Sequence, residues 1–165
     1  MEFDHDGYYS ILTDLLAQTL PGEGAQFKMA PNDKPRAIHT NPYTRHAGVL
    51  ILLFTNKHEI YTILTERTRY EGAHSGQISL PGGKVEREDN NLTETALREA
   101  EEEIGISAQH IQVAGHLTPL YIPVSNYYVQ PVVGILRARP RFYRDEKEVH
   151  EIYEIKLDEL AHPKA

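Results

Sequence analysis

Apolar residues recur at helical spacing in "YYSILTDLLAQTL" (8–20), where Ile11, Leu12, Leu15 and Leu16 mark a helix that Pro21-Gly22 closes. The period then changes. "GVLILLF" (48–54) and "IYTILTER" (60–67) are short β-branched or aromatic runs separated by "TNKHE", the pattern of a hairpin or of neighbouring strands. "ISLPGGK" (78–84) reads as a strand entering a glycine turn. "HIQVAGHL" (110–117) and "YYVQPVVGILRAR" (127–139) read as further strands, and Pro131 places the second at a sheet edge or a bulge. In "EVHEIYEIKLDEL" (148–160) the loose alternation of Val149, Ile152 and Ile155 leaves strand and helix both open as far as Leu157.

One internal helix stands among these strands, over about 92–104. Asn91 followed by Glu94 resembles a capping box, and Gly105 stands where a glycine ends a helix. Strands flanking one internal helix, with another helix in front and no regular βαβ repeat, predict a mixed α/β or α+β domain. The 165 residues suit a single domain, with an N-terminal helix and extension over 1–45 and a core over 46–160.

The absence of cysteine excludes disulfides, thiolate nucleophiles and cysteine-based zinc sites, and fits a reducing compartment, so a cytoplasmic location is expected. The longest apolar run, "AGVLILLF" (47–54), is far too short to span a membrane, and the acidic start "MEFDHDGYYS" is unlike a secretory signal. A net charge of -7 disfavours nucleic-acid binding, so a polyanionic ligand would need a metal ion or a few placed basic residues.

That charge is concentrated in "REAEEEIGI" (98–106). At about 100° per residue, Glu99 and Glu103 lie about 40° apart and Glu102 lies about 60° to the other side of Glu99, while Glu101 points away. Like charges at i,i+4 destabilise a helix by roughly 0.2–0.5 kcal/mol per pair, and glutamates near its C-terminal end also oppose the dipole. A divalent cation reverses that sign, since Mg²⁺ takes carboxylates together with substrate phosphates. Taken alone, the stripe is ordinarily a solvated face. Just upstream, however, the paired glycines of "GQISLPGGK" (76–84) allow a backbone to approach a ligand closely.

Together these segments resemble the Nudix box: Gly, five residues, Glu, seven residues, then Arg-Glu-U-x-Glu-Glu-x-Gly-U, with U aliphatic. Gly83 opens it, and Arg98, Glu99, Glu102, Glu103, Gly105 and Ile106 fill the later positions, with Ala100 as a small U residue. The first half departs, because Asp89 stands where the box has Glu and one extra residue separates it from Arg98. The resemblance implies a Nudix fold, a mixed sheet between helices, and Mg²⁺ or Mn²⁺ held by Glu99 and Glu103, with Glu102 a third ligand directly or through water. It implies that Arg98 steadies the glutamates by ion pairing and that the backbone at Gly83 completes the metal's shell.

Beyond the box, "LTERTRYEGAHSGQISLPGGK" (64–84) and "SNYYVQPVVG" (125–134) resemble the signatures of the coenzyme A pyrophosphatase-type subfamily. Thr68, Glu71, Gly72 and Leu80 depart from that signature. Gly72 stands for an arginine that would suit a phosphate, which weakens coenzyme A more than the reaction type. Relatives usually continue past "LDELAHPKA" with a strand and a helix, so the chain reads as trimmed at its C-terminal end.

The implied reaction is hydrolysis of the diphosphate of a small nucleoside diphosphate derivative, with a homodimer admissible. ADP-ribose, dinucleotides and triphosphates are the alternative substrates, and a non-catalytic nucleotide-binding module is the rival of another class. Arg67 and Lys84 are the best-placed cations for phosphate, and His74 and Gln77 belong to the signature. Tyr127 and Tyr128 alternate faces, so one can stack on a base while the other packs in the core. No His-Glu-x-x-His spacing occurs, and Ser79 and Ser125 lack a nucleophile elbow. Relatives take the general base from a box glutamate or from a distant loop. Glu148 is the loop candidate here, with Glu102 the alternative.

Overall fold

The computed structural model describes residues 4–28, 40–68 and 76–160. Eight strands and four helices follow in chain order: α1 (His5–Leu16), α2 (Gly22–Lys28), β1 (Arg45–Asn56), β2 (Glu59–Arg67), β3 (Ile78–Ser79), β4 (Gly82–Lys84), α3 (Leu92–Ile104), β5 (Gln112–His116), β6 (Leu120–Ile122), β7 (Tyr127–Ile135), β8 (Val149–Lys156) and α4 (Leu157–Leu160). A 3-10 turn, Ala108–His110, precedes β5 where the sequence pattern begins a strand.

The hairpin expected across "TNKHE" is present. β1 pairs antiparallel with β2 from Phe54↔Tyr61 to Asn56↔Glu59, and the turn residues Lys57 and His58 both have positive φ, as a type I′ two-residue turn requires. The long β1 strand organises the sheet, pairing parallel with β7 from Arg45 to Leu53 and antiparallel with β4 from Ala47 to Val49. β2 in turn pairs with β3 and β8. The 148–160 segment therefore resolves as a strand that becomes helical at Leu157.

Pro131 sits in a central strand, not at an edge. β7 lies between β1 on one side and β5 and β6 on the other. On that second side β6 pairs with Tyr127–Val129 and β5 with Val132–Ile135, so Pro131 falls where β7 changes partner. Its carbonyl accepts from Leu117 N at 3.1 Å on the same side, where the ladder is interrupted and no N–H is required.

Helices cover both faces of this mixed sheet. Ala96, Ala100 and Ile104 of α3 pack on Leu50, Leu52 and Phe54, while α1 and α4 bring Leu12, Leu16 and Leu157 against Leu53, Val133 and Ile135. Gly48 permits the close approach of α3, since a Cβ there would lie 2.2 Å from the carbonyl of Leu92. Asn91 caps α3 by accepting from the Thr93 and Glu94 N–H groups, and Gly105 ends it at φ 72°. The reciprocal arm of the box reaches Asn90, whose N–H and side-chain amide both donate to Glu94. Among the described residues no helix is long and apolar enough to cross a membrane.

Candidate active site

α3 lies against β4, so its inward glutamates meet the paired glycines. Glu103 is 3% exposed, and its Oε2 accepts from the Gly82 N–H at 3.1 Å. Its Oε1 lies 3.9 Å from Arg67, at the end of β2. Glu99 lies beside Gly83, where an added Cβ would sit 2.4 Å from the carboxylate carbon. Glu102 is different, being 57% exposed and bound to Arg98 at 3.0 Å. Glu101 points outward, accepting weakly from Ala108 N at 3.4 Å. The structure thus brings Glu99 and Glu103 together at Gly82-Gly83 and leaves Glu102 on the solvent side.

Arg98 joins these groups to the loop before the helix. Its Nε and one terminal nitrogen donate to the two Asp89 oxygens at 3.1 Å each, and it also reaches Glu99, Glu102 and the Lys84 carbonyl. Asp89 accepts further from Glu86 N and Thr95 Oγ1. The Arg98 guanidinium, reinforced by those two hydrogen bonds, holds Asp89 down at about 2 and is itself pushed up. Asp89 is the residue whose role the sequence leaves open. It anchors the arginine that steadies the glutamates, despite the one-residue insertion.

Glu148 reaches the same centre by a different route. The loop before β8 caps the C-terminal end of α3, since Tyr143 N donates to the Ile104 carbonyl and Asp145 N to that of Glu103. Thr68, just past β2, binds the loop through Glu148 O and Lys147 O. The exposed Glu148 is thereby held close enough that its charge raises both Glu99 and Glu103.

Burial pushes Glu103 up to about 7, the Gly82 N–H and Arg67 oppose this, and the charges of Glu99 and Glu148 add to it. Burial also raises Glu99, against the nearby Arg98, with Glu102 and Glu148 adding to the rise. In the metal-free fold Glu103 keeps a proton that the unfolded chain releases near pH 4.5. The folded state then binds more protons between about pH 4.5 and 7, so its stability is greatest below that window and falls as pH rises through it. The melting temperature of metal-free protein is expected to fall from about pH 5 to about pH 8, and this slope should be reduced in Glu103→Gln, the raised Glu99 keeping the rest, and be offset by saturating Mg²⁺. A metal-free melting temperature that rises across the window would contradict this assignment.

Among the described residues no three His, Asp or Glu side chains are already drawn together as an ion's ligands, because Arg98, Arg67 and Gly82 hold the carboxylates instead. The donor set nevertheless fits a hard divalent cation. Glu99 and Glu103 offer oxygen only, burial raises both above the usual carboxylate range, and Gly83 leaves an approach that a side chain would block.

The remaining candidates are placed less uniformly. Arg67 lies 3.9 Å from Glu103 with its side chain 34% exposed, and its backbone N–H donates to the Gln77 carbonyl. Lys84 is exposed on β4, and Tyr127, half-buried on β7, lies beneath Arg45. His74 and Gly72 fall outside the described residues. A cleft of about 810 Å³ is lined from 105–112 and 136–141 and includes neither Glu99 nor Glu103. The carboxylate pair, which carries the reactive chemistry, lies elsewhere.

A model of the NUDIX domain matches residues 44–165. The chain belongs to the Nudix domain family. This Nudix chain is 40% identical over 135 residues to the uncharacterized Nudix hydrolase NudL of Pectobacterium atrosepticum, covering 81% of the chain and 66% of that protein. It is 43% identical over 115 residues to the NudL of Yersinia pestis (strain Pestoides F), covering 70% of the chain and 57% of the relative. It therefore spans between 57% and 66% of the length of these two relatives. Among solved structures, an Ap4A hydrolase binary complex from C. elegans matches with a TM-score of 0.60 at 16% identity, over 73% of this chain and 88% of that one. The NUDIX domain of Shewanella oneidensis NrtR, complexed with ADP ribose, matches with a TM-score of 0.54 at 15% identity, over 83% and 85%. Likeness at these identities establishes the shared fold.

Proposed function

We propose that this Nudix domain hydrolyses the diphosphate bond of a nucleoside diphosphate linked to another moiety, with coenzyme A or an acyl derivative as substrate and 3′,5′-ADP and a 4′-phosphopantetheine species as products. The observation that carries the reaction type is the Glu99–Glu103 pair, with Glu103 buried and Glu99 partly so, set against Gly82-Gly83. The substrate rests on the signature residues Leu64, Thr65, Arg67, Gly76, Gln77 and Pro81 and on the strand "YYVQPVVG" (127–134).

Glu99, Glu103 and the backbone at Gly83 would hold Mg²⁺ or Mn²⁺, with Glu102 reaching the ion through water. Such an ion supplies charge neutralisation of the diphosphate and a more acidic water. The rest falls to the protein. Arg98, fixed by Asp89, keeps Glu99 and Glu102 in place. Arg67, Lys84, His74, Gln77 and Tyr127 orient the substrate. Glu148 accepts the proton of the attacking water as phosphorus is attacked in line with the departing phosphate oxygen.

If Glu148 is the base, Glu148→Gln lowers kcat by about a hundredfold or more with KM and folding nearly unchanged. Glu146→Gln is the matched control, since Glu146 is 82% exposed and only loosely paired with Arg144. Near-normal kcat in the Glu148 variant at saturating metal returns the role to Glu102.

The absent arginine at position 72 weakens coenzyme A, and ADP-ribose, a dinucleotide or a nucleoside triphosphate is the second reading. Incubating the full chain with coenzyme A, ADP-ribose, NADH and nucleoside triphosphates plus Mg²⁺ or Mn²⁺, and identifying products by mass spectrometry, separates the two. Release of 3′,5′-ADP supports coenzyme A. Turnover of ADP-ribose with none of coenzyme A overturns it.

A further inference from the structure

The register of the sheet places two cations on the face turned away from the glutamate helix. Gly48 and Gly83 are paired and face α3, since a Cβ on either would strike α3. The neighbouring pair, Ala47 and Lys84, therefore faces the other way. Arg45 lies two residues before Ala47 on that second face, paired with Tyr127 of β7. Val129, Leu120 and Ile122 share it.

α1 and α4 cover this second face only farther along the strands, at Leu53, Val133 and Ile135. Near Arg45 the sheet keeps Leu120 41% exposed and Tyr127, Val129 and Ile122 half-buried. The result is an apolar floor with a cationic rim. Neither Arg45 nor Lys84 pairs with a carboxylate among the described residues, in a chain whose net charge is -7. Strand spacings put their backbones about 8 Å apart. Arg45 is drawn toward β7, because its guanidinium lies 4.3 Å over the Tyr127 ring and donates to the Ser125 carbonyl.

We propose that Arg45 is a specificity-determining residue that binds a phosphate on the nucleoside end of the substrate, separate from the diphosphate that is cleaved. This rests on the reading of the substrate as a nucleoside diphosphate derivative. Lys84 directly follows Gly83, which abuts Glu99, and its side chain leaves β4 on the opposite face, so a substrate whose diphosphate lies at Glu99 meets Lys84 by passing over β4. Arg45 is held one strand away; one terminal nitrogen donates to the Ser125 carbonyl, and the remaining N–H groups of the stacked guanidinium are available to donate to a phosphate. The apolar floor, which runs from Arg45 across β7 to β6 on the side of β1 away from Lys84, suits the base.

The test uses the full chain. One arm compares kcat/KM for coenzyme A and 3′-dephospho-coenzyme A, and the other compares binding of adenosine 3′,5′-bisphosphate and AMP by calorimetry. The wild type is expected to favour the phosphorylated member of each pair by about tenfold or more, the scale of a charge-assisted hydrogen bond. Arg45→Ala brings both ratios to about one, Arg45→Lys keeps part of them, and Lys84→Met slows both coenzymes alike with the ratio retained. Ratios near one in the wild type, or equal losses for both members in Arg45→Ala as a loop-clamping role gives, overturn the proposal. If neither coenzyme is cleaved, the coenzyme A reading fails by itself, and the calorimetric ratio and its dependence on Arg45 then decide the proposal.

Discussion

Glu103→Gln is expected to reduce turnover at saturating metal by at least about a hundredfold, Glu99→Gln by a comparable factor, and Glu101→Gln hardly at all. The three residues are near neighbours on one helix with one side-chain chemistry, so composition cannot separate them. Their surroundings do. Glu103 is buried against the Gly82 N–H and Glu99 is packed beside Gly83, whereas Glu101 touches only the exposed turn after the helix. Glutamine keeps the shape and the hydrogen-bond acceptor and removes the charge, so the loss reads electrostatics and not packing. The check is kcat for each variant beside its thermal melt, with all three required to fold. A Glu101 variant as impaired as Glu103 would mean that the helix is turned differently from the arrangement described.

The second large effect concerns Asp89. Its side chain is 4% exposed and accepts four hydrogen bonds, two of them from an Arg98 that is itself 22% exposed. Removing one partner of such a pair strands the other charge, which costs about 3–5 kcal/mol when fully buried. Arg98 retains Glu99, Glu102 and the Lys84 carbonyl, which places Asp89→Ala at about 3 kcal/mol. Urea denaturation measures it, and a loss below about 1 kcal/mol would show that Arg98 is held well enough by the remaining groups. Activity should fall with it, because the guanidinium that steadies Glu99 loses its anchor.

The sequence pattern marks the α3 boundaries because Asn91 and Gly105 act through local backbone geometry, and both perform the roles their types suggest. The inward set of glutamates is legible for the same reason, as helical phase is a local property. It cannot tell which of Glu99, Glu102 and Glu103 is buried, and Glu102 lies on the solvent side. Two elements escape the pattern. α2 opens on Gly22 and "GEGAQFK" carries no apolar period, while β6 is three residues long. Pro131 misleads because the break between β5 and β6 is a tertiary fact. Asp89 carried a signal, its place in the box, that the insertion obscured. The approach of Glu148 depends on hydrogen bonds from the 143–148 loop to α3 and to Thr68 just past β2, contacts distant in sequence. So does the shared face of Arg45 and Lys84, which only strand register reveals.

The claim that Glu99 and Glu103 form a divalent-cation centre for diphosphate cleavage is tested most directly in 18O-labelled water. The full chain and its Glu103→Gln variant are incubated with coenzyme A and ADP-ribose, each with and without Mn²⁺, and the products are weighed by mass spectrometry. The account predicts that one 18O enters a single phosphoryl product, only with the metal present and at a rate at least about a hundredfold lower in the variant. Cleavage that proceeds without a divalent cation, or at the wild-type rate in Glu103→Gln, would contradict it.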